Sequence, residues 1–228
     1  MIGMPTAVHA LAHCPLTDDA VAELVALPFV PLADEDDDTV EEELRRRGWQ
    51  WEAELVCDSF RTGYGHVLCS EGFSPFGNRK DRAFLVFGEV YPADPQDASM
   101  ANATWLNGYM EGWERAPGRR SRRPATDQDC EAVLAQAARA VTEALGADPE
   151  RTLVSDHTVG FGLALTHRIW RTPSHALILG PSSDEGPYGY LTHLQLSQTP
   201  LSCAPDLPPA GAEHEEALET WITAHIDW

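Results

Sequence analysis

The apolar positions switch period several times along the chain, and each switch marks an element. From Thr17 to Leu27, Val21, Leu24 and Val25 fall on one helical face behind Asp18 and Asp19, predicting a short helix that Pro28 ends. Thr39-Val40-Glu41-Glu42 has the form of a capping box, with Arg45, Arg46 and Arg47 at the opposite helix end before Gly48. Past Gly48 the period becomes two. Trp49, Trp51, Ala53, Leu55 and Cys57 share one face of a strand, while Gln50, Glu52, Glu54 and Asp58 share the other. Tyr64 to Ser70 is the expected return strand, and Ala83 to Tyr91 is apolar throughout, as a central strand is. Thr126 to Asp129 forms a second capping box. The stripe Cys130, Val133, Leu134, Ala137, Val141 and Leu145 follows it, closed by Gly146. Phe161 to Trp170, His175 to Leu179 and Tyr190 to Leu196 read as strands. Glu213 to Ile226 reads as a helix with Ala217, Leu218, Trp221 and Ile222 inward.

Runs of strands punctuated by helices predict an α+β fold: a largely antiparallel sheet of about six strands packed by three to four helices. Both halves run helix and then three strands, although too little residue identity joins them to define a repeat. The 228 residues are expected to form one domain. Residues 1–16 are read as a disordered terminus. Residues 92–125 are read as a long Arg-rich connection, with a short helix carrying Trp105, Tyr109 and Trp113.

Charge narrows the function. The chain carries 36 Asp plus Glu against 16 Lys plus Arg, a net of −20. That balance argues against a surface for nucleic acid or for anionic membrane, and makes a basic protein the expected partner. The acidity is concentrated, since eight of the ten residues from Asp34 to Glu43 are carboxylates. Asp34, Glu35, Asp36, Asp37, Asp38, Glu41, Glu42 and Glu43 are therefore the expected partner-binding residues, with Trp105 or Trp113 as an aromatic anchor. Arg115, Arg119, Arg120, Arg122 and Arg123 crowd into nine positions and are expected to form a solvated loop able to fold against the acidic run. The five cysteines lack a C-x-x-C and read as thiols of a reducing cytoplasm. Cys57 and Cys69 are the one pair a hairpin centred near Gly63 would bring together.

Chemistry has fewer footholds. Asp36 and Asp38 match the D-x-D nucleophile loop of phosphatases, but that loop must follow a buried strand, and a capped acidic helix start already accounts for them. His167, His175 and His193 lie on three neighbouring strands and form the alternative metal site of a small hydrolase. Parity with Leu194 and Leu196 turns His193 away from the face of His167. No cofactor is implied. A chaperone or adaptor for a basic client is the remaining alternative.

The capped helix ahead of Gly48-Trp49-Gln50-Trp51, the helix end Ala144-Leu145-Gly146, the strand at Trp170-Arg171 and the strand Leu194-Gln195-Leu196 resemble a class of acidic α+β proteins from GC-rich bacteria. Some of that class are assigned as immunity proteins that neutralise secreted polymorphic toxins. The resemblance spans residues 17 to 200 in order of elements, and the insertion at 92–125 departs from it. It implies a non-enzymatic inhibitor of a basic toxin such as a nuclease, and carries over no site residues.

Overall fold

In the computed structural model, the described residues are 8–27, 37–53, 58–70, 82–93, 104–115, 117–155, 165–183, 192–204 and 206–226. They contain ten strands and five helices. In chain order these are β1 (Val8–His13), α1 (Asp18–Val25), α2 (Asp37–Arg47), β2 (Gln50–Ala53), β3 (Asp58–Arg61), β4 (Val67–Ser70), β5 (Ala83–Ala93), α3 (Thr104–Glu114), β6 (Arg120–Ala125), α4 (Asp127–Leu145), β7 (Arg151–Ser155), β8 (Leu165–Arg171), β9 (His175–Ser183), β10 (Thr192–Pro200) and α5 (Glu215–Ile226). Every strand pairing is antiparallel.

The sheet runs β2-β3-β4-β5-β10-β9-β8-β7. This order is two four-stranded meanders meeting at β5 and β10, each preceded by a helix (α2, α4) and followed by one (α3, α5). An approximate two-fold axis therefore passes between β5 and β10. The halves also share local chemistry. Phe60-Arg61-Thr62 and Trp170-Arg171-Thr172 end β3 and β8 with a buried aromatic, and each turn is closed by a histidine carbonyl. The Thr62 N–H donates to His66 O at 2.9 Å and the Thr172 N–H to His175 O at 2.8 Å. β1 adds to the outer edge of β5 beyond β4, and β6 adds to β1.

The main core lies on one face of the sheet. There α4 buries Cys130, Leu134, Ala137 and Val141 as a single stripe, and α1 and α2 add Val21, Leu24, Val40 and Leu44. Each fully buried aliphatic side chain contributes about 2 kcal/mol. Both long-range helix starts are capped: Thr17 Oγ1 accepts from the Ala20 N–H, and Thr126 and Asp129 form the reciprocal capping box. On the opposite face α5 packs Leu218, Trp221 and Ile222 over Ile169, Ala176 and Ile178, while Met110 and Trp113 of α3 lie on Ala10, Ala12 and Tyr91. The polar side chains of that β10 face secure the end of α5. Gln195 Nε2 donates to Ile226 O at 2.7 Å, Ser197 Oγ donates to the same oxygen at 3.1 Å, and Thr199 Oγ1 donates to His225 O at 2.9 Å.

Several expectations need correction. Residues 8–13, expected in a disordered terminus, form β1. Helix α2 begins before Thr39, so that residue lies inside the helix rather than capping it. Trp51 is 41 % exposed because β2 is the sheet's edge, where its ring meets that of Phe60. Ala217 is exposed. The β3–β4 register sets Ser59, not Cys57, opposite Cys69, which is buried; Cys57 lies outside the described residues. The connection at 92–125 contains β6 as well as a helix.

Candidate partner-binding surface

Helix α2 turns Val40 and Leu44 into the core, so Asp38, Glu41 and Glu42 face solvent. Glu43 behaves differently. It accepts from Arg46 and Arg47 at 2.6 Å each, and these hydrogen bonds, that of Arg46 foremost, hold its carboxyl below the usual range. Arg45 approaches Glu41 only to 3.9 Å, with both side chains more than half exposed. Two of the helix's three arginines are thus spent on Glu43, leaving the acidic end of α2 open. Asp34, Glu35 and Asp36 lie outside the described residues, and of Asp37 only its place in the helix is described.

A second group of carboxylates adjoins α2, and the sequence pattern did not single it out. The backbone of Arg47 abuts the β3–β4 turn at Gly63, and Tyr64 at the apex of that turn is 43 % exposed. Partial burial and then the charges of Asp19, Glu23 and Asp18 push its phenol up, so the carboxylates of α1 lie within electrostatic reach of the ring. The local cations are directed inward. Arg47 is 8 % exposed, and Arg119 lies 4.2 Å over the Trp113 ring while donating to Gly65 O at 3.0 Å. Tyr64 is exposed, whereas Trp113, the anchor expected from the sequence, is only 7 % exposed beneath Arg119. The side chain of Trp105 lies outside the description. A Thr-Gly-Tyr-Gly turn between two strands was the available signal, because glycine-flanked apices expose the residue between them.

Two of the arginines at 115–123 pair close to their own segment. Arg115 pairs with Glu111 at 3.7 Å and Arg122 with Asp129 at 2.5 Å, so they neutralise their own neighbourhood. No known family model, curated protein or solved structure matches this chain. Its function is therefore argued from the surface and from the alternatives that the geometry weakens.

The histidine alternative divides. His167 lies over Gly180, Gly180 pairs with Gln195, and Gln195 shares a face with His193, so His167 and His193 point to the same side, contrary to the parity expectation. That expectation took Leu194 and Leu196 to share the core face of His167. The core of those leucines is in fact on the opposite face of a sheet covered on both sides. His175 sits at the far end of β9, opposite Pro200, with Nδ1 2.8 Å from Ser174 Oγ. Among the described residues no three ligating side chains converge on a metal position. His193 is flanked in register by Ser182 and Glu89, the latter accepting from Tyr91 Oη at 3.0 Å, but Ser182 is 2 % exposed and offers no open nucleophile. Asp38 stands on an exposed helix turn, and Asp36 with the segment that would have to supply the preceding strand is outside the described residues. Among the described residues no helix is long and apolar enough to cross a membrane.

Proposed function

We propose that this protein is a non-enzymatic binding protein that captures and occludes a basic protein, in the manner of an immunity-type inhibitor of a nuclease toxin. The observation that carries this reading is the open carboxylate set of Asp38, Glu41 and Glu42 on α2 together with Asp18 and Asp19 beside exposed Tyr64, while neighbouring arginines are engaged internally. Carboxylates on a rigid scaffold imitate the phosphates that a nuclease site is built to hold. A field of one sign also accelerates encounter and selects the partner by charge.

The test is direct binding to the protein encoded beside this one in its genome. A basic neighbour bound with sub-micromolar affinity that weakens steeply with salt supports the reading. An acidic neighbour, or binding indifferent to salt, contradicts it.

A further inference from the structure

Beneath the Tyr64 turn a small cavity opens between α1 and the sheet, lined by Glu23, Trp49 and Thr62 with Ala20, Leu24 and Leu68. Its enclosed part holds about one water molecule. Glu23 is its only lining residue that is not buried, so the mouth lies at that carboxylate. Inside, the Thr62 hydroxyl is 6 % exposed and has no hydrogen-bond partner, a costly state for a buried polar atom. The Trp49 indole lines the wall beside Glu23. A cation already favours this wall, since the Arg47 guanidinium lies 5.5 Å from the Trp49 ring centre while its Nε is held by Glu43.

We propose that this slot receives a lysine ammonium group from the basic partner, with Glu23 and Thr62 as acceptors, Trp49 as the aromatic wall and Tyr64 at the lip. The inference rests on the basic-partner reading above and adds to it a choice between the two basic side chains. An ammonium head is compact and about the size of the water the slot admits. A guanidinium is a planar fork too broad to enter. The unsatisfied Thr62 oxygen gains a donor, and the partly desolvated Glu23 carboxylate, so far stabilised by the Arg47 charge, gains a directly hydrogen-bonded cation.

The experiment is calorimetric titration of the full chain with oligolysine and oligoarginine peptides of equal length. The slot predicts oligolysine tighter by about tenfold, one charge-assisted hydrogen bond's worth of discrimination. It also predicts that Thr62→Val erases that preference while leaving oligoarginine affinity unchanged, and that Glu23→Gln erases it while weakening both peptides through the lost surface charge. Val is isosteric with Thr, so the fold is kept, and an unchanged thermal midpoint verifies this. Equal binding of both peptides, or a lysine preference that survives both substitutions, overturns the slot and leaves the basic-partner reading standing. Failure of both peptides to bind overturns that reading and the slot with it.

Discussion

The imidazole of His167 lies across the backbone of Gly180, in the space that a side chain at 180 would fill, and donates from Nε2 to Pro181 O at 2.9 Å. His167 is paired with Leu153 on β7 and Gly180 with Gln195 on β10, so neither backbone can yield without disturbing a ladder. Gly180→Ala should therefore force the ring off its hydrogen bond and cost about 3 kcal/mol, measured by urea denaturation. Combining it with His167→Ala should recover much of that loss. Simple additivity of the two changes would show that the contact is not the cause.

The same burial gives a pH dependence with a definite sign. Burial lowers the His167 pKa to about 4, only partly opposed by its bond to Pro181, and burial lowers His66 in the same direction. A base with a depressed folded-state pKa binds fewer protons folded than unfolded. Its neutral burial is therefore free above the ordinary histidine value and is penalised as pH falls from about 6.5 toward 4. Wild type should lose about 3 kcal/mol more than His167→Gln across that window in parallel urea titrations. Equal losses would mean the imidazole titrates normally in the folded protein.

How much of this was legible in the sequence varied with the kind of signal. Helix α4 was legible because Thr126 and Asp129 cap a five-turn stripe of one period, and β5 because a run buried on both faces needs no alternation. Strands β1 and β6 were not, because β1 is placed by contact with β5 and β6 by contact with β1, and not by local pattern. The Arg120-to-Pro124 composition in fact argues against a strand, and β6 forms at an edge where arginines can alternate into solvent. The two-fold arrangement was half visible. The aromatic-Arg-Thr…His signature at 60–66 and 170–175 is present, but three residues separate Thr and His in one copy and two in the other, which hides it from fixed-period comparison. Of the candidate site, the α2 carboxylates were legible as a charge run. Tyr64 was not, because its importance depends on α1 lying beside a turn more than thirty residues away.

The end of α5 depends on β10 side chains. Replacing Gln195 by Leu removes a donor to Ile226 O while Ser197 keeps its own. The loss should be about 1–2 kcal/mol, with faster amide exchange confined to the last turn of α5. Uniform acceleration across the sheet would contradict this local role.

The α4 cap offers a cleaner local test. Thr126→Ala removes the acceptor for the Asp129 N–H and should cost about 1 kcal/mol, while Thr126→Asp should retain most of the stability. A larger loss would place Thr126 in the core and not at a helix start.

The most direct test of the account is the affinity for the basic partner of a variant carrying Asp38→Asn, Glu41→Gln and Glu42→Gln, compared with wild type between about 50 and 300 mM salt. These side chains are exposed, so the variant should keep its thermal midpoint. The account predicts that affinity falls at least ~30-fold at low salt, mainly through slower association, and that the two proteins converge as salt rises. An unchanged affinity, or a loss that is the same at every salt concentration, would contradict it.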